Sequence, residues 1–560
     1  MAISKIKITN FKSIGETLTV DFSQGVNILV GDNDVGKSTI LEAIHLAFTG
    51  MFQGRPIKSN LSEYVFNRKA VAKYLEGLKS GGKADALPEV SIEVFFDGSV
   101  DVGKFEGDKN SDGIRKAEGF VFRIALDENL NDEYRQFCTA ASAGESVVGL
   151  PLEYYAVRWE SFARNRELTP RGMPMKPVLI NSANYRYHNG SDLYVHQLIR
   201  AALEKEDLRV AIQEHRRALM EFQESDAVQK INLNITGRLA TEYKVTMSAA
   251  MEELYSVENS LSAHLDDVPF SFAGQGLQCV AKTDLALHSK SGEAASIILL
   301  EEPESHLSPG QLSRFMERVS SRHLDKQLIV STHSSFVANK LGLGNLILMG
   351  RTTSNTTAVR LTSLKNSDFF MRLPGYDTLR IVLARRVVLV EGASDELLFQ
   401  RAYKDLKGKL PIDDGVDVIS VGIAFARFIP LIESVGCRAA IVTDNDSRSE
   451  SLQKTYAKYM PHPNGENPRC CVFFEPEPLT HETFGVPEET IKNYATLEPY
   501  LLHCNSVEKL AKICGASCND ASSMLKYMIG HKVDCALAIF NSEETVEYPE
   551  YFKRALQHVV

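Results

Sequence analysis

Gly31-Asp-Asn-Asp-Val-Gly36-Lys37-Ser38-Thr39 follows an apolar run, Val26 to Val30, and opens a stretch, Ser38 to Phe48, that reads as a helix. The nine residues fit GxxxxGK[ST]. Strand, glycine-rich turn and helix in that order make a phosphate cradle: the glycines let backbone N–H groups close around phosphates, and the helix N-terminus faces the anion. Lys37 is expected to reach the β- and γ-phosphates, Ser38 to bind Mg²⁺, and Asn33, Gly36 and Thr39 to complete the ATP contact. The fold class that follows is α/β. Upstream, Ile6 and Ile8, then Leu18, Val20 and Phe22, alternate with polar residues as strands do.

A phosphate cradle needs an acid on a second strand. Ile297 to Leu300 is apolar and ends in Glu301-Glu302-Pro303-Glu304-Ser-His-Leu307. Glu301 is expected in the Mg²⁺ shell and Glu302 to orient the attacking water. Leu328-Ile-Val-Ser-Thr-His333 runs from a strand into a histidine, at the spacing where ATP-binding-cassette proteins place a residue that senses the γ-phosphate. Ser271-Phe-Ala-Gly274-Gln-Gly276-Leu-Gln278 looks like a divergent cassette signature, so Gly274 and Gly276 are expected to meet nucleotide across a dimer.

A second chemistry lies further on. Val387 to Val390 ends in Glu391-Gly392-Ala-Ser-Asp395, and Ala439 to Thr443 ends in Asp444-Asn-Asp446. Strands alternating with helices imply a parallel sheet, and adjacent strands ending in acids direct carboxylates into one crevice at their carboxyl ends. Hard oxygen donors at that density suit Mg²⁺ or Mn²⁺.

The rest of the chain sets bounds. It has 560 residues and a formal net charge of −10, which excludes wrapping of nucleic acid by bulk positive charge. No run of about 18 apolar residues suggests a membrane span, and MAISKIKITNF does not read as a signal peptide. The nine cysteines, odd in number and irregularly spaced, read as reduced thiols of a cytoplasmic protein. Cys504, Cys514, Cys518 and Cys535 lack the CxxC pairs of a zinc site and read as small buried hydrophobes. Residues 52 to 87 read as loop-rich. From Ser191 to Leu265 apolar residues recur at helical steps, as a plain helical subdomain or an arm that dimerises the chain. The polar stretch Arg351 to Asn366 precedes a domain boundary near 365–380.

Ile8-Thr-Asn-Phe11-Lys12-Ser, the phosphate cradle with Asn33, and EEPESHL together resemble the RecF and structural-maintenance-of-chromosomes (SMC) ATPases, cassette ATPases that act on DNA. Glu-Gly followed by DxD in strand order resembles the Toprim domain of topoisomerases, primases and some nucleases. The two in succession resemble the overcoming-lysogenization-defect (OLD) nucleases over nearly the whole chain. Asp377-Thr-Leu-Arg380 leading into ARRVVLVEG, and Lys532 to Phe540 with Pro549 to Phe552, fit that family's entry into and exit from Toprim. The implied domains are 1–190, the first part of an ABC ATPase; 191–265, a helical dimerisation insert; 266–370, the second part, with signature, acidic strand and histidine; and 371–560, a Toprim nuclease domain.

The resemblance implies ATP-regulated, metal-dependent cleavage of DNA through two ions ~3.5–4 Å apart. Asp444 and Asp446 would hold one ion and Glu391 with Asp395 the other. Glu498 would add a ligand, and Lys532 would stabilise the phosphate charge, with Lys526 its nearest competitor. A third ion accompanies ATP. The implied assembly is a homodimer or larger even oligomer, because a cassette site needs a signature from a second subunit. Family members commonly serve anti-phage defence, some with a separately encoded helicase, as in Gabija, others with a retron reverse transcriptase and its small DNA. The rival reading is a DNA-bound ATPase clamp or sensor with a non-catalytic Toprim domain.

Overall fold

The computed structural model describes residues 1–79, 87–98, 103–142, 149–163, 167–181, 187–188, 191–192, 205–238, 246–248, 263–322, 325–351, 355–372, 375–462 and 467–560. Three sheets organise them. The first is antiparallel, in the order Leu18–Asp21, Ile3–Thr9, Val90–Phe96, Ala117–Leu126, with Tyr155–Ser161 and Glu106–Gly107 also paired to Ala117–Leu126. Its alternating residues put Ile3, Ile6, Ile8, Ile92 and Val94 into the core.

The second sheet runs Pro177–Asn181, Ile297–Glu301, Gln327–Thr332, Val26–Gly31, Leu346–Arg351, Thr356–Arg360, parallel except for the last strand. Its strands Val26–Gly31, Ile297–Glu301 and Gln327–Thr332 are buried on both faces, hence their continuous apolar runs. The helix Lys37–Thr49 is packed between the two sheets, and its core positions Ile40, Leu41, Ile44 and Leu46 are fully buried. Buried Gln327 ties the sheets together: its side chain accepts from Ile3 N–H and donates to the carbonyls of Ile3 and Ser23.

The third sheet is four-stranded and wholly parallel, in the order Val416–Ser420, Arg386–Val390, Arg438–Val442, Cys470–Phe473. The helix Phe425–Val435 wedges it onto the second sheet, and side chains of both share one core, Ile28 and Leu348 with Phe428, Ile432 and Ile441. Contact is close: a Cβ on Gly350 would lie 2.5 Å from the Val435 carbonyl oxygen. Arg380 of the helix Gly375–Leu383 donates to Asp417 and fastens the entry to this sheet.

One local expectation gives way. Residues 52–87 hold the helix Arg68–Lys79, whose Tyr74 and Leu78 are buried while Lys69 and Lys73 face outward, so a polar composition hid an amphipathic pattern. Within the polar stretch Arg351 to Asn366, Thr356–Arg360 forms an antiparallel edge strand, suited by its β-branched residues. The helices Lys205–Glu224 and Asp226–Arg238 lie within the expected helical stretch. No helix among the described residues is long and apolar enough to cross a membrane. Cys535 is buried in the core beneath the third sheet, and its thiol is hydrogen-bonded with that of Cys514.

Candidate functional site

At the first site the turn from Gly31 to Gly36 is shaped by backbone demands. Gly36 has φ +99°, and a Cβ on Gly31 would lie 2.4 Å from the Met349 carbonyl oxygen, so the cradle closes only with glycine at both places. Lys37 is buried and folds back to donate to the carbonyls of Gly31 (3.0 Å) and Asp32 (2.8 Å). Burial lowers its pKa to about 8, against the opposing pull of Glu302, Asp32 and Glu304. Thr39 shares a hydrogen bond with Ser13, and Asn33 is exposed at the rim.

The acidic strand stands two places from the cradle strand, with Gln327–Thr332 between them. Ser38 and Asn181 both donate to the Glu301 carboxylate, whose pKa burial raises. Glu302 has a left-handed backbone, φ +43°, which turns its carboxylate to within 3.7 Å of His333 Nε2. A non-glycine residue held there stores strain of the kind that gathers at functional sites. His333 has its pKa lowered by burial and by Lys37. Glu304, which the sequence reading left without a role, accepts from the Thr332 hydroxyl and His333 N–H and fixes the histidine's backbone; its Oε2 is buried without a partner among the described residues. Gly276, in the helix Gln275–His288, faces the same loop: a Cβ there would lie 2.6 Å from the His306 carbonyl oxygen, while Gly274 caps that helix in open space. Lys37, Ser38, Glu301, Glu302 and His333 are therefore brought together in one chain, while Gly276 packs against His306 and Leu307.

The second site lies at the carboxyl ends of the parallel strands Arg386–Val390 and Arg438–Val442, which are neighbours. Glu391 Oε1 accepts from the Thr443 hydroxyl (2.5 Å) and from Asp444 N–H (3.0 Å), locking the two strand ends together. Asp395 sits in the first turn of the helix Ala393–Lys407, and its carboxylate accepts from Gly392 N–H (2.8 Å) at the helix start. Glu498, only 4% exposed, comes from the helix Leu497–Cys504 and accepts from Lys532 Nζ (3.0 Å) and Thr496 Oγ1. Lys532 opens the helix Lys532–Asn541, which packs along Ala393–Lys407.

The charges act on one another. Burial raises Asp395 to about 6, aided by Glu498 and Glu391. Asp444 is raised well above the ordinary carboxylate range by burial, then by Asp395, Glu391 and Glu498, with Lys532 opposing. The neighbouring acids in turn raise Lys532 against its own burial. Carboxyls crowded in this way are a donor set a divalent cation satisfies, and all four offer hard oxygens. One oxygen of Glu391 and one of Asp395 are committed to hydrogen bonds, and among the described residues no three acidic, His or Cys side chains already stand as a finished metal cage.

Asp446 stands apart from the cluster. Its backbone is left-handed, φ +48°, and its carboxylate accepts from Asn493 Nδ2 (2.8 Å) and Arg448 Nη2 (2.5 Å). Two residues that no motif signalled hold this loop: Asn493, and buried Asn445, which donates to the carbonyls of Glu475 and Pro476.

Comparison with known proteins follows the same division. Residues 5–161 match the AAA domain family, and residues 382–446 match the TOPRIM domain of overcoming-lysogenization-defect-like proteins. The chain is 24% identical over 194 residues to the endonuclease GajA of Bacillus cereus strain VD045, across 34% of this chain and 33% of that protein. It is 32% identical over 131 residues to the DNA replication and repair protein RecF of Shewanella piezotolerans, across 23% of this chain and 34% of that protein. It thus spans about a third of the length of these curated relatives. A solved SMC head, bound to the C-winged helix domain of ScpA, covers 64% of this chain and 97% of its own at 14% identity and a TM-score of 0.32.

Proposed function

We propose that this chain, which joins an AAA-type ATPase domain to an OLD-like TOPRIM domain, is a metal-dependent DNA endonuclease regulated by ATP and serves in anti-phage defence. The observation that carries the reading is the convergence of Glu391, Asp395, Asp444 and Glu498 from separate elements, where burial and neighbouring charge raise Asp395 and Asp444, with Lys532 facing them. Glu391, Asp395, Asp444 and Glu498 would hold Mg²⁺ or Mn²⁺. Bound divalent ions would supply an activated water and a counter-charge for the leaving oxygen. Lys532, tethered to Glu498, would place its ammonium beside the phosphate under attack. Asp446 would join only by leaving Arg448 and Asn493.

At the other site Lys37 would exchange the carbonyls of Gly31 and Asp32 for the β- and γ-phosphates. Ser38 and Glu301, already hydrogen-bonded, would hold the ATP-bound ion, and Glu302 would orient the attacking water while His333 faces the γ-phosphate. A bridge joins the two sites. Asp32 of the cradle pairs with Arg385 (2.8 Å), which immediately precedes the strand ending in Glu391. Phosphate entering the cradle would disturb that pair, and we assign ATP an inhibitory effect on cleavage, keeping a defence nuclease silent in a healthy cell. The exposed apolar residues Val210, Phe222 and Leu233 of the helical stretch support a dimer contact there.

The test is plasmid incubated with Mn²⁺ or Mg²⁺, alongside Asp444→Ala. Nicked or linear product from the parent chain only supports the nuclease. Intact plasmid from both favours a DNA-bound ATPase clamp, which the diverted Asp446 also favours, and altered topology would indicate a topoisomerase.

A further inference from the structure

Beside the acid cluster lies a cavity of about 410 Å³ lined by Thr490, Lys492, Asn493, Lys526, Ile529 and Lys532, within the ~300–1,000 Å³ usual for ligand sites. Three ammonium groups surround one hollow in a chain whose net charge is −10. Lys532 is paired with Glu498, but Lys492 and Lys526 are exposed and have no carboxylate partner among the described residues. Thr490 is only 7% exposed, and its hydroxyl has no hydrogen-bond partner among the described residues. A buried hydroxyl left unmatched costs free energy, so a donor at the wall of a cationic hollow points to an anion that it meets when occupied. Ile491 and Ile529 add apolar surface to the lining, which suits a sugar or base edge but not a bare inorganic ion.

Two wall residues reach into the acid cluster. Lys532 holds Glu498, and Asn493 holds Asp446. We infer that this cavity seats the nucleotide of a DNA strand next to the bond that is cut, with Lys492, Lys526 and the Thr490 hydroxyl holding its phosphate. The inference rests on the nuclease reading and adds the residues that position the strand. Through Asn493, a seated strand would also bear on the orientation of Asp446.

The measurement is the affinity of a fluorescent single-stranded 12-mer, by anisotropy, for the full chain in the Asp444→Ala background, where no cutting intervenes. Lys492→Ala with Lys526→Ala is expected to weaken binding about tenfold at 100 mM salt. The slope of log affinity against log salt should shrink by about 0.7 for each lysine that meets a single-strand phosphate. Thr490→Val preserves shape and removes the unmatched hydroxyl, so it should weaken binding about threefold without lowering the melting temperature. In the cleavage-competent chain the double lysine variant should raise KM for plasmid.

Unchanged affinity and salt slope would overturn the inference, as would a fall in kcat at constant KM. Displacement of the 12-mer by 1 mM dTMP would also overturn it, because the seat would then serve a free nucleotide. These binding arms are independent of cutting. A parent chain that binds but never cleaves defeats the nuclease reading and still decides the cavity.

Discussion

The two sites differ in how they are assembled. The phosphate cradle is one continuous turn, Gly31 to Thr39, backed by two strand ends, and its geometry is dictated by glycines that no other residue can replace. The carboxylate site is gathered from four segments spanning Glu391 to Lys532, and its members are held by hydrogen bonds among themselves. The first resists change through backbone sterics, whereas the second is a balance of charges. Losing one member should therefore end the chemistry of either site without ending that of the other.

The largest expected effects separate the sites directly. Asp444→Ala should reduce plasmid cleavage below detection while ATP turnover persists, measured as phosphate release. Lys37→Ala should weaken ATP binding. Glu302→Gln should bind ATP normally and slow its hydrolysis by about 10²–10⁴-fold, the span usual for a lost general base. Loss of both activities from any one of these changes would mean that the sites are not separable.

The same contrast explains what was legible in the sequence. The cradle, its acidic strand and His333 occupy short contiguous motifs next to apolar runs, so their strands and their meeting at one site could be read from residue order. Glu391 and Asp444 were legible because each ends a parallel strand, and adjacent strand ends must share a crevice. Asp446 looked equivalent to Asp444 in the one-dimensional pattern. Its left-handed φ and the partners Arg448 and Asn493 are set by a loop whose path depends on buried Asn445, and no spacing rule encodes that. The helix Arg68–Lys79 and the edge strand Thr356–Arg360 were obscured because exposed elements carry polar residues on the faces that dominate composition.

A moderate effect sharpens the steric half of the comparison. Gly31→Ala drives a Cβ against the Met349 carbonyl, a backbone atom that cannot swing aside. It should cost about 1–3 kcal/mol, seen as a lower first thermal transition with ATP absent. An unchanged transition would show that the cradle tolerates a side chain there.

The smallest stability effect carries the most information about communication. Arg385 is largely exposed, so Arg385→Ala should alter stability by less than about 1 kcal/mol. If the Asp32–Arg385 pair transmits nucleotide occupancy to the strand ending in Glu391, the variant should hydrolyse ATP at the parent rate yet lose most of ATP's effect on cleavage. A variant that retains the full nucleotide response would remove this bridge from the account.

The most direct test of ATP-regulated cleavage is plasmid cutting by the full chain across an ATP titration at fixed free Mg²⁺, since ATP also sequesters the metal. The account predicts that cutting falls as ATP saturates the cradle, and that the fall shifts to higher ATP in Lys37→Ala. A cutting rate that stays flat across the titration would contradict it.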